Sequence, residues 1–182
     1  VCKDPKGYLM AFESDGPTGW ETWLARSNDL SKWDRTNGLR FVGVVFANPT
    51  IRYVAPYHYL MFGTHRTAPP ITDYEYHLDS TRYVTALMRS KDLITWELSP
   101  TKYPMLDAAV GEGINNTDAD LFEYQGNAYV YYITGDQMTW GAGRLAIYAG
   151  SMKECLEAHF PANIPMVKYD ARKAQFTFPQ KN

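Results

Sequence analysis

At 182 residues and 20.8 kDa the chain has the size of one ordinary domain, 1–182, and no linker or low-complexity segment divides it. Its 45% hydrophobic and 21% charged residues exclude a disordered chain. A net charge of −2 and a pI near 6.1 argue against a nucleic-acid partner, whose phosphates call for surplus Lys and Arg. No apolar run approaches the roughly 18 residues of a membrane span, so no membrane partner is expected.

The N-terminus, Val1-Cys2-Lys3-Asp4-Pro5, lacks the basic-then-apolar layout of a signal peptide. Cys2 and Cys155 are too few for a disulfide framework or a structural zinc site. The informative excess is aromatic: with 14 Tyr, 8 Phe and 5 Trp, the chain is rich in side chains that suit strands and that give sugars or bases a flat platform. The negative charge favours sugars.

In chain order, the first element is a turn, Asp4-Pro5-Lys6-Gly7, followed by the β-rich run Tyr8-Leu9-Met10-Ala11-Phe12. Next comes Thr22-Trp-Leu-Ala-Arg26-Ser27-Asn-Asp29-Leu30-Ser-Lys-Trp33. Ala55-Pro56-Tyr57-His58 is the second turn, preceded by Pro49–Val54 and followed by Tyr59-Leu60-Met61-Phe62-Gly63. The longer motif then recurs 63 residues on, as Thr85-Ala-Leu-Met-Arg89-Ser90-Lys-Asp92-Leu93-Ile-Thr-Trp96, with seven identities in twelve positions. A third turn, Tyr124-Gln125-Gly126-Asn127, separates Asp118–Phe122 from Tyr129–Ile133, and a degraded third copy starts at Arg144. There Met152-Lys-Glu-Cys-Leu-Glu157 replaces the Asp-Leu-x-x-Trp half, and Met152–His159 is the one helical stretch. The tail 163–182 has no matching pattern and reads as irregular chain that caps or latches the repeat.

Each unit therefore reads as four antiparallel strands joined by hairpins, and such a unit of about 60 residues repeated around an axis predicts an all-β fold of β-propeller blades. The repeated Ser-x-Asp-Leu-x-x-Trp has a structural reading: Ser and Asp cap the turn into the outer strand, and Trp33 and Trp96 pack between blades. Three blades are visible, whereas closed propellers usually have four or more. Further blades or another chain would have to complete the ring.

The Tyr-Leu-Met strands followed by Arg-Ser-x-Asp-Leu-x-x-Trp resemble the five-bladed propeller glycoside hydrolases, the superfamily of arabinanases, β-xylosidases and invertases. The stretch Glu112–Gly126 is similar to the third-blade pattern of family 43-like members. The resemblance covers roughly 4–160 and implies a polysaccharide-degrading hydrolase, a carbohydrate substrate, no organic cofactor, and an extracellular or periplasmic location. A calcium ion in the central channel, as in some relatives, leaves no mark in sequence. It also implies three acidic groups around a central funnel. The base Asp of the family belongs to the first blade's innermost strand, a region not represented here; Asp4-Pro5 reads as a hairpin turn and Asn48-Pro49 offers only an amide.

Blade geometry brings the start of each innermost strand and the end of its neighbour to one rim. That gathers Asn48, His65 and Arg66 with Asp118, Asp120, Asp136 and Gln137. Asp118 and Asp120, two apart on a strand, point the same way, an arrangement suited to acid or orienting carboxylates. Glu112, in Gly111-Glu112-Gly113, can reach the same rim; a solvated loop carboxylate is the alternative. These three are the catalytic candidates. Asn48, His65, Arg66, Asp136, Gln137 and Trp140 are the substrate-binding candidates, with Trp140 as a stacking platform and Trp20, Tyr74 and Tyr76 as weaker ones. His58, His65, His77 and His159 have no metal-ligand spacing, so no metal site is assigned. Hydrolysis by paired carboxylates, a carbohydrate-binding propeller without catalysis, and an inactive propeller fragment all remain open.

Overall fold

The computed structural model describes residues 1–17, 19–42, 46–65, 82–100 and 104–179, and these form an all-β arrangement with one short helix. Strands β1 (Cys2–Asp4), β2 (Gly7–Gly16), β3 (Gly19–Ser27) and β4 (Asp34–Phe41) make an antiparallel sheet in sequence order. A second antiparallel set follows: β5 (Ala47–Val54), β6 (Tyr57–His65), β7 (Tyr83–Ser90) and β8 (Thr95–Leu98). The third is β9 (Asn115–Tyr124), β10 (Asn127–Gly135) and β11 (Gly141–Tyr148), linked to the second by a single parallel bridge between Tyr83 and Asn115.

Two parts differ from the four-strand expectation. The third unit has three strands, and helix α1 (Met152–Glu157) stands where a fourth would be. Its sequence explains this: Ser151 and Glu154 form a reciprocal capping box, and no β-branched run follows. The tail is also not irregular throughout. Strands β12 (Val167–Asp170) and β13 (Gln175–Thr177) extend the outer edge of the second sheet, β12 pairing with β8. The Tyr169 hydroxyl donates to the Arg40 carbonyl (3.1 Å) and accepts from the Val42 amide (2.9 Å), which ties β12 to the end of the first sheet.

The register of the repeat corrects its alignment by one residue. Tyr8 pairs with Ser27 and His58 with Ser90, so Tyr8 corresponds to His58, and Leu9 to Tyr59. In a strand one residue is the difference between the two faces. Leu9 therefore faces the second sheet as Tyr59 faces the third. We call the face turned to the next unit the forward face and its opposite the rear face. The first sheet's forward side (Leu9, Leu24, Phe41) packs on the second sheet's rear side (Leu60, Phe62, Met88, Trp96). The second sheet's forward side (Tyr59, Met61, Leu87) packs on the third's rear side (Ala119, Leu121, Val130).

The repeated motif does the same work twice. Ser27 Oγ accepts from Leu30 N (2.8 Å) and Ser90 Oγ from Leu93 N (2.9 Å). Asp29 and Asp92 each accept from two following amides, and both leucines have left-handed backbone, φ 68° and 67°. Trp33 and Trp96 each donate an indole N–H to the carbonyl three residues back. Trp96 is buried, edge-on to Phe41 of the first sheet, whereas Trp33 is only half-buried.

Asp4 belongs to a turn, as its sequence context indicates, and it also joins two sheets. Its carboxylate takes the Arg26 fork at 3.0 and 2.7 Å, His58 Nε2 at 2.7 Å and Lys6 N at 2.8 Å. Burial alone would raise the Asp4 pKa, but Arg26, His58 and Lys6 outweigh it and hold the carboxyl far below the usual range. Burial drives the His58 pKa down, against the pull of Asp4, so the neutral ring donates from Nε2. Both shifts mean that the unfolded chain binds more protons in acid. The contribution of these two groups is thus full above about pH 6.5, falls first as the histidine of the unfolded chain takes up a proton that folded His58 resists, and falls again below about pH 4 as the unfolded aspartate does. Thermal melting across this range should follow that order. Asp4→Ala should cost about 3–5 kcal/mol and flatten the acid limb, because it removes a buried carboxylate and strands half-buried Arg26 and buried His58.

Candidate functional site

The antiparallel order brings the ends of β2, β6 and β10 and the starts of β5 and β9 to one rim. The two strand starts share a local geometry. Asn48 and Asp118, 70 residues apart, are both in the left-handed region, at φ 51° and 58°, and each lies within an interruption of its strand pairing. Asn and Asp tolerate this conformation better than other side chains. Asp118 is exposed, and one of its oxygens accepts from the Thr117 hydroxyl at 2.7 Å.

The irregularity after Asp118 changes the expected carboxylate pair. A regular strand would aim Asp118 and Asp120 alike, but the register shifts between Thr117 and Asp120. Asp120 makes an ion pair with Arg52, and its Oδ1 also accepts from the Leu121 amide. Arg52 in turn donates to the Leu121 carbonyl, which secures the second unit to the edge of β9.

Glu112 turns inward from its loop: its side chain is only 7% exposed. Oε1 accepts from the Tyr132 hydroxyl (2.6 Å), Oε2 accepts from the Ala109 amide (3.0 Å), and Arg144 Nε lies 3.8 Å away. Burial, with the hydrogen bond to Glu112 second, pushes the Tyr132 phenol up to about 12, so it remains a donor at neutral pH. Gly113 is required beside it, because a Cβ there would stand 2.0 Å from the Gly135 carbonyl oxygen. A cleft of about 330 Å³ opens here, lined by Arg82 and residues 108–114.

The remaining candidates divide between rim surface and rim scaffold. His65 lies at the end of β6 with its ring 4.2 Å from that of Tyr83, its direct cross-strand neighbour. Asp136 serves its own loop: its carboxylate accepts from the amides of Met138, Thr139 and Trp140 and from the Thr139 hydroxyl. Those donors draw its pKa below the usual range. Gln137 takes the left-handed φ of 68° in the same tight loop, which leaves the Trp140 indole 46% exposed. Glu123, at the far end of β9, accepts from Met152 N and anchors the helix. Arg66, Tyr74, Tyr76 and His77 lie outside the described residues, as does the side chain of Trp20. Among the described residues no three His, Cys, Asp or Glu gather as a metal site, and both cysteines are free.

One carboxylate at the rim has no signal in the sequence pattern. Glu13 Oε1, on the forward face of β2, accepts from the Asn48 amide at 2.6 Å. Its counterpart in the second unit is Gly63, where a Cβ would stand 2.9 Å from the Thr117 side chain. Each strand start thus leans on the forward face of the preceding unit. Only the correct one-residue register flags Glu13.

No protein-family model matches the chain, and no curated protein matches it. Among solved structures it is similar to a BT0996–RGII complex and to a structure described as a glycoside hydrolase. Both are at 12% identity and TM-score 0.56, over 79% of this chain and 41% of theirs. A xylan β-1,4-xylosidase from Bacillus halodurans C-125 gives 11% identity and TM-score 0.42 over 83% of this chain and 39% of that one. The chain thus spans about two-fifths of the structures it matches. Likeness at such identity is a likeness of fold.

The four bonds to Asp136 should govern the order of the Trp140 loop. In Asp136→Ala, amide hydrogen exchange at Met138, Thr139 and Trp140 should speed up by about tenfold or more, with the strands of the third sheet unaffected.

Proposed function

We propose that this chain is part of a β-propeller glycoside hydrolase, of the five-bladed family 43-like kind, which cleaves an oligo- or polysaccharide at the rim. The observation that carries the reading is the set of carboxylates along one rim: Glu13 from the first unit, Asp118 from the third, and Glu112 from the loop between the second and third. The fold likeness to a structure described as a glycoside hydrolase supports it. Hydrolysis of a glycosidic bond needs one carboxyl to protonate the leaving oxygen and one to activate water or attack the sugar. Asp118, exposed and held through one oxygen by the Thr117 hydroxyl, suits the group that meets water or sugar. Glu112, sheltered and oriented by Tyr132, suits its partner. Asp120, tied to Arg52, acts as an orienting charge. Trp140 offers the apolar face of a sugar ring a platform, and Asn48 and His65 offer hydrogen bonds to its hydroxyls.

A second reading is a carbohydrate-binding propeller without catalysis. The observation favouring it is Asn48, an amide in the same left-handed position that Asp118 occupies one unit later. An amide binds hydroxyls but cannot act as a base.

Aryl-glycoside hydrolysis and glycan titration separate the two. Asp118→Asn should lower turnover by roughly 10²–10⁴-fold while leaving the melting midpoint unchanged. Glycan binding without turnover in the unaltered protein would establish the second reading, and the absence of both would overturn the two together.

A further inference from the structure

The end of the molecule away from the rim has a different charge balance. The rim holds Glu13, Glu112, Asp118 and Asp136. At the far end the carboxylates are committed to local partners: Asp4 to Arg26 and His58, Asp29 and Asp92 to turn amides, and Glu97 to Arg89. Lys6, Lys91 and Lys168 are exposed there, with no ion-pair partner among the described residues.

Two of these lysines meet in one cleft of about 240 Å³ beside the turn at Lys91 and Asp92. Its walls come from the second sheet, that turn and β12, so it lies on neither open sheet face. Arg89 is its fixed element, set between the Tyr57 ring at 4.5 Å and the Phe160 ring at 4.2 Å and ion-paired with Glu97 and Glu157. Lys91 Nζ stands 5.0 Å from the centre of the Tyr57 ring, and Lys168 is opposite Glu97 in the pairing of β12 with β8.

The cleft also offers acceptors. Asp92 takes the Ile94 and Thr95 amides through Oδ1, both at 2.8 Å, and no donor among the described residues reaches its Oδ2. Glu97 takes Arg89 Nε through Oε2 at 2.9 Å, which leaves Oε1. A ligand that satisfies these walls accepts from two ammonium groups and donates to two carboxylate oxygens. A bare oxyanion supplies only acceptors and is repelled by Asp92 and Glu97. A neutral sugar supplies hydroxyl donors but gives the two ammonium groups no counter-charge. A uronate has both: a carboxylate for Lys91 and Lys168 through charge-assisted hydrogen bonds, and hydroxyls that donate to Asp92 and Glu97.

We propose that this cleft binds a uronate unit of an acidic glycan, at a site separate from the rim. The assignment needs no catalysis at the rim, whose own carboxylates disfavour an acidic sugar.

Titration of the full chain with sodium glucuronate and with sodium galacturonate, followed through amide chemical shifts, tests this. The signals of Lys91, Thr95 and Lys168 should move and saturate with at least one of the two. Glucose, which lacks the carboxylate, and acetate, which lacks the hydroxyls, should bind there about tenfold more weakly or worse. Lys91→Gln and Lys168→Gln keep most of each side chain and remove its charge, and each should weaken uronate binding about tenfold. Melting establishes that both variants fold. Asp118→Asn should leave the far-end shifts unchanged, so failure of the rim reading and failure of this one are told apart. No saturable shift with either uronate, equally strong binding of glucose or acetate, or full affinity in the double lysine variant would each overturn the proposal.

Discussion

A sheet with apolar residues on both faces needs a neighbour on each side, and most of this architecture follows from that constraint. The second sheet satisfies it within the chain, its rear face on the first sheet and its forward face on the third. Burial at these two junctions is non-directional, so side chains of quite different shape can serve at equivalent positions. Tyr59 stands where Leu9 stands, and Trp96 where Trp33 stands. Direction comes from the strands: once faces are assigned, their period of two also decides which residues reach the rim.

Polar groups give the junctions their specificity. Asp4, Arg26 and His58 join the first and second sheets at the end away from the rim, and Arg52 with Asp120 joins the second and third. At the rim, Glu13 accepts the Asn48 amide and Gly63 makes room for Thr117. The repeated Arg-Ser shows how one motif serves different partners. Arg26 reaches back to a turn carboxylate, while Arg89, whose own turn has no acid, takes Glu97 and Glu157 instead. Helix α1 is held in place by that second choice.

The repeat is readable in the sequence because Ser, Asp and Trp have fixed local tasks. Ser27 and Ser90, Asp29 and Asp92 close the same turn, and a turn of this kind depends only on residues within six positions. The helix at Met152 is legible for the same reason, through its capping box. What distance in the chain decides is less legible. Tyr8-Leu9-Met10 looks like Tyr59-Leu60-Met61, yet turn geometry sets the register one residue away, which hides Glu13. The left-handed backbone at Asp118 gives no signal in an Asp-x-Asp pattern, so the pattern predicts Asp120 beside Asp118, whereas Arg52 holds it. Strands β12 and β13 carry no pattern of their own, because β13 pairs only with β12, and the partner of β12, β8, lies some 70 residues upstream. Asp136 is recognisable as a rim residue, but its loop-capping work depends on amides that have no sequence signature.

The left-handed strand starts have an evolutionary consequence. Few side chains accept that backbone, and the two found there, Asn48 and Asp118, differ by an amide nitrogen in place of a carboxylate oxygen. Exchanging one for the other leaves size, shape and backbone preference nearly unchanged while removing or adding an ionisable group. A scaffold of this kind can therefore gain or lose a negative charge at a strand start through a near-isosteric step. The framework at a strand start and the charge it carries are thus separable: the same backbone holds an amide at one and a carboxylate at the other.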